Sequence, residues 1–97
     1  MSPEQNDDQW VWAVIQEPEK NPQYLGQYDD EKSISFIPAF REKEHGIQCL
    51  NLLNKNENLK YEVQAILYDE LVKDARKNGF LVVFLNGEGK VLEWIEQ

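Results

Sequence analysis

This 97-residue chain has one cysteine, one histidine and a shortage of basic side chains. The lone Cys49 excludes an internal disulfide and fits a reducing compartment. With a single histidine beside it, the usual four-ligand zinc sets of cysteine and histidine are also excluded. The longest apolar run, Phe80 to Leu85, is far too short to span a bilayer. Met1 to Gln9 has neither the basic nor the apolar region of a secretory leader, so cytoplasmic residence without membrane attachment is expected. Ten Lys and Arg stand against 18 Asp and Glu, a formal charge of -8. A field of that sign repels phosphate backbones and anionic lipid, and no nucleic-acid partner is expected.

What is present suits a folded domain. Hydrophobic residues make up 41% of the chain and aromatic ones 11%, enough for a core at a length that accommodates one domain. Residues 1 to 9 are read as a flexible acidic tail and residues 10 to 97 as the domain. Trp10 to Ile15 reads as a strand apolar on both faces, followed by turn chemistry from Glu17 to Pro22. Tyr24 to Tyr28 is a weaker strand with Gly26 inside it, expected to form a hairpin with the first. Ser33 to Phe40 alternates as a strand, and Pro38, which has no N–H to donate, predicts an edge position or an end to pairing near it.

The spacing then predicts a helix over 41 to 53 with Gly46, Ile47, Cys49, Leu50 and Leu53 to one side. Tyr61 to Ile66 alternates as a half-buried strand. A second helix starts near Asp69 and carries Tyr68, Leu71, Val72 and Ala75 on one stripe. It ends at Asn78-Gly79, with acidic residues in its first turn and basic ones in its last. Phe80 to Leu85 is the candidate central strand. Asn86 to Gly89 turns the chain into a final strand, Val91 to Ile95.

The expected fold is therefore α/β, or α+β-like. It is a single two-layer domain with a mixed sheet of about six strands and two helices mainly on one face, in the order β-β-β-α-β-α-β-β. Right-handed crossovers put both helices on one face if the strand order simply advances. The opposite face would then be bare. Yet the first and fifth expected strands are apolar on both sides, Trp10 and Trp12 included, so either the sheet curls over that face or a second copy or another protein covers it.

Phe36-Ile37-Pro38-Ala39-Phe40 before a charged helix start, then Tyr61 to Leu71 and Gly79 to Asn86, resemble the layout of the SseB-like N-terminal domain. In that family a strand ending in Pro-x-Phe enters a helix, and a later apolar strand ends in Asn. Arg41 stands where the family usually has Thr or Ser, and Gly87 where it often has Pro. The strand-helix-strand-helix order around Tyr61 to Gly79 also resembles a small cyanobacterial and plastid domain of unknown function. The resemblance implies a fold and no established activity.

Candidate chemistry is sparse. Glu42, His45 and Cys49 are spaced to share one side of a helix, but a fourth metal ligand is lacking, so no metal or cofactor is expected. The same Cys49, leaning into the core, is a poor nucleophile for a pairing with His45. Gly87-Glu88-Gly89 leads into a strand rather than a helix and reads as a hairpin turn, not a phosphate loop. The acidic clusters fall in loops and on helix surfaces, where no desolvating cleft tunes a carboxyl group. The leading expectation is a non-catalytic protein-interaction module, self-associating or bound to another protein through Trp10, Trp12 and Tyr24. The competing class is a small-ligand binder or enzyme with a pocket at the strand ends near Pro38, Arg41 and Asn86.

Overall fold

A computed structural model describes residues 9–95. The tail expected over residues 1 to 9 thus lies, except for Gln9, outside the described residues, as do the last two positions of the domain. The strands are β1 (Trp10–Gln16), β2 (Gln23–Tyr24), β3 (Gln27–Asp29), β4 (Ile34–Phe40), β5 (Tyr61–Leu67), β6 (Leu81–Leu85) and β7 (Val91–Ile95). The helices are α1 (Lys43–Leu50), between β4 and β5, and α2 (Tyr68–Lys77), between β5 and β6. All seven strands join one mixed sheet, so the α+β class, the mixed sheet and the two helices agree with the sequence.

The sheet is built outward from β1. One edge of β1 pairs along its whole length with antiparallel β5, from Trp10↔Leu67 to Gln16↔Tyr61. Its other edge is divided: Trp12 and Ala13 pair with Phe40 and Ala39 of β4, while Ile15 and Gln16 pair with Tyr24 and Gln23 of β2. β4 in turn runs parallel to β6, and β6 antiparallel to β7. The backbone order is β5-β1-β4-β6-β7, with β2 and β3 wedged where β1 and β4 part. The strand expected from Tyr24 to Tyr28 is consequently two short pieces. β2 pairs with β1, the chain crosses at Leu25-Gly26, and β3 pairs with β4 through Gln27↔Phe36.

Pro38 explains the parting. Continuing the β1–β4 register by one hydrogen-bonded pair sets Pro38 against Val14. Pro38 has no N–H for the Val14 carbonyl, and that carbonyl accepts the Leu25 N–H instead, at 2.9 Å. On its other edge Pro38 stays in register with Val83. β4 is thus a central strand whose pairing stops at Pro38 on one side only. β6, expected at the centre, is the next strand out and has four of its five residues buried.

The two helices lie on opposite faces, which corrects the expected one-sided, two-layer arrangement. Leu71 and Ala75 of α2 pack on Val11, Ile37, Ala39, Val82 and Phe84. Cys49 of α1 packs on Val14, Phe40, Val63, Val83 and Leu85. The handedness rule itself stands. From β4 the chain moves past β1 to β5, then reverses across the sheet to β6, and a right-handed crossover in the reversed sense falls on the other face. Among the described residues each face of the sheet carries one helix, so neither face is bare as a whole.

The helices differ in how the sequence holds them. α1 spans only eight residues of the expected thirteen-residue stretch, and its N-cap Glu42 makes no capping hydrogen bond. It is held by contact: a Cβ on Gly46 would sit 2.9 Å from Val63 Cγ1, so the helix rests directly on the sheet. Ile47, expected on the inner stripe, is 47% exposed. α2 follows β5 without a loop, carries Asp69 and Glu70 in its first turn and Arg76 and Lys77 in its last, and ends where Gly79 turns with φ 78°. Among the described residues no helix is long and apolar enough to cross a membrane.

Candidate functional site

The three aromatic residues expected to form one surface do not. Side chains alternate along a strand, so Trp10 and Trp12 share the α1 face, opposite Leu67 and Ala65 of β5. Trp10 is 60% exposed. Trp12 is half-buried, with the Lys43 ammonium 5.6 Å from its ring centroid. Tyr24 is the register partner of Ile15 and therefore faces α2, where its hydroxyl donates to Asp74 Oδ2 at 2.8 Å. Two separate features result, one at the β5 edge beside the tryptophans and one beneath Tyr24.

At the β5 edge, hydrogen-bond parity follows from the ends of the β1–β5 ladder. The Tyr68 N–H donates to the Gln9 carbonyl and the Glu17 N–H to the Lys60 carbonyl, both at 2.8 Å. Even-numbered residues of β5 therefore bond to β1, and odd-numbered ones direct their N–H and C=O away from it. Tyr61, Val63 and Ala65 each present both groups at this edge, and Leu67 presents its N–H. Among the described residues no strand pairs there. β7, the other outer strand, opposes a register irregularity at Phe84/Leu85, a feature that discourages pairing. β5 has neither a bulge nor a proline, and Trp10, Ala65 and Leu67 form an apolar shelf along it.

The second feature is a cleft of about 470 Å³ lined by Pro22, Tyr24, Ile37, Asp74, Asn78 and Phe80, among others. It exists because β2 and β3 wedge into the sheet and bring Tyr24 over α2. Gly26, at the crossing point, permits this: a Cβ there would lie 2.6 Å from Phe80 Cε2, so the Phe80 ring packs against bare backbone. A smaller recess of about 260 Å³ on the far side of the Tyr24–Asp74 contact adds Ile15, Gln64 and Ile66. Burial, then the hydrogen bond to Asp74 and the charges of Asp74 and Glu70, push the Tyr24 phenol well above the usual tyrosine range. It therefore acts as a neutral donor. Sequence reasoning missed Asp74 and Phe80, and no local pattern marks them, because their partners lie across the chain.

Pro38, Arg41 and Asn86 are each taken up by the fold. Pro38 is fully buried. Arg41 pairs with Glu93 and sets its guanidinium 4.1 Å from the Phe84 ring centroid. Asn86 closes the β6–β7 hairpin, its Oδ1 accepting the N–H groups of Glu88 at 2.9 Å and Lys90 at 3.0 Å. Arg41 and Asn86 are thus occupied in holding the β6–β7 region. Among the described residues no three His, Cys, Asp or Glu side chains group as metal ligands. Cys49 is wholly buried and its thiol is pushed up by that burial, the opposite of an activated nucleophile. Compared with protein-family models, curated proteins and solved structures, the chain matches none.

Proposed function

We propose that this chain is a non-catalytic protein-interaction module that associates by strand addition at the outer edge of β5, its partner being the β5 of a second copy. The observation that supports it is the row of outward backbone groups at Tyr61, Val63 and Ala65, unpaired among the described residues. Extended segments add to such edges through main-chain hydrogen bonds. The sequence of β5 is self-complementary for this purpose. An antiparallel pair centred on Gln64 sets Val63 opposite Ala65, Tyr61 opposite Leu67 and Glu62 opposite Ile66, so no like charges face each other. Trp10 lies beside Leu67 on the same face and takes the role of an aromatic anchor at the rim. Tyr24, on the opposite face, is not part of this interface.

The test is sedimentation across a concentration series, at low and high salt, for the wild type and Ala65→Pro. The wild type is expected to dimerise, more readily at high salt because each copy carries a charge of -8. Ala65→Pro removes an outward donor and is expected to stay monomeric while folded. Trp10→Ala is expected to weaken the dimer. A wild type that is monomeric throughout, or an Ala65→Pro variant that dimerises equally well, would sink the proposal.

A further inference from the structure

We infer that the cleft beneath Tyr24 binds a small organic cation, an ammonium or guanidinium group carried on an apolar body. The inference is independent of the β5 edge. Its anchor is Asp74. Among the described residues this carboxylate makes no ion pair, and the neighbouring Lys73 is engaged 3.3 Å from Asp69. Its side chain accepts a hydrogen bond from a neutral phenol, that of Tyr24. A half-buried carboxylate with one neutral donor retains lone pairs that a charged donor fills more strongly. Glu70, one helical turn earlier, adds to the negative field at Tyr24.

The walls suit the same ligand. Tyr24 and Phe80 supply two aromatic rings, whose faces attract cations more strongly where water is excluded. Ile37 and Pro22 supply apolar surface for the body of the ligand. The volume of about 470 Å³ falls within the range of small-molecule sites. Anions are repelled by Asp74 and Glu70. Neutral ligands would desolvate the Asp74 carboxylate without compensating its charge. The cleft is also formed by the fold itself, since the missing Pro38 donor lets β2 into the sheet and Gly26 admits the Phe80 ring.

The experiment titrates the isotope-labelled protein with phenethylamine, its neutral match phenethyl alcohol and its anionic match phenylacetate, following backbone amide shifts. Phenethylamine is expected to move the amides of Tyr24, Asp74, Asn78 and Phe80, with the alcohol and the acid far weaker. Asp74→Asn keeps an acceptor for the Tyr24 hydroxyl and should remain folded, as its melting curve will show. It is expected to lose about tenfold or more in amine affinity. Tyr24→Phe keeps the ring and is expected to bind at least as well. N-acetyl-lysine methylamide stands in for a protein side chain, and its binding more tightly than phenethylamine would overturn a small-molecule site. Equal binding of amine and alcohol, an unchanged Asp74→Asn, or no cleft amide moved by any amine would each overturn the inference as well.

Discussion

Proline placed at Ala65 or at Ile66 tests the outward and inward amides of β5 against each other. Ile66 is the register partner of Val11, and by the ladder parity its N–H donates to the Val11 carbonyl. Val11 is fully buried, so an Ile66→Pro change leaves an acceptor without donor or water, at about 1–3 kcal/mol. Losing the half-buried isoleucine side chain adds about 1 kcal/mol. The sum, about 3 kcal/mol, is a large share of the roughly 5–15 kcal/mol that stabilises a native domain. It corresponds to a fall of about 12–24 °C in Tm for a chain near this length. Ala65 has its side chain exposed and its N–H directed away from β1. Proline there removes no ladder bond. Its φ adjustment is offset by a less flexible unfolded chain, and the net change is expected within about 1 kcal/mol. Urea and thermal unfolding by circular dichroism, at a protein concentration where both variants are monomeric, read the difference. Equal losses, or a larger loss for Ala65→Pro, would refute the parity and with it the free edge of β5.

Gly26→Ala is expected to destabilise by about 1–2 kcal/mol because its Cβ would meet the Phe80 ring at 2.6 Å. Phe80→Leu should recover part of that loss in a double-mutant cycle, and strictly additive effects would contradict the packing described. Cys49, with no exposed surface, is expected to react with a soluble thiol reagent only as fast as the protein opens. A rapid stoichiometric reaction in native buffer would contradict its burial. Tyr24 binds its phenolic proton more tightly when folded than when unfolded. Its contribution is therefore complete below about pH 10, the unfolded value, and is lost as pH rises toward the folded one. Tyr24→Phe should flatten that alkaline decline in urea unfolding, and identical pH profiles would refute the Tyr24–Asp74 contact.

Each strand and helix was legible where its signal is local. Alternation marks β5 and β7, a long apolar run marks β6, and dipole-matched charges with Asn78-Gly79 delimit α2 to within a residue or two. Period two also places Trp10 and Trp12 on one face without any knowledge of the fold. The missing N–H of Pro38 is equally visible, and it predicts correctly that pairing stops there. Which edge it stops on is not local, because β4 has two edges and the missing N–H falls on the one that faces β1.

The tertiary structure decided the rest. β5 completes β1 on the edge away from β4, so the chain must double back to reach β6, and that reversal sends α2 to the face opposite α1. Tyr24 meets Asp74 for the same reason, fifty residues apart in sequence, once the β1–β2 register has set its face. Periodicity is a property of each segment, which its own residues carry wherever it lies. Strand order and helix face depend on which distant edges and apolar surfaces bury one another, and that choice is made by the whole chain at once.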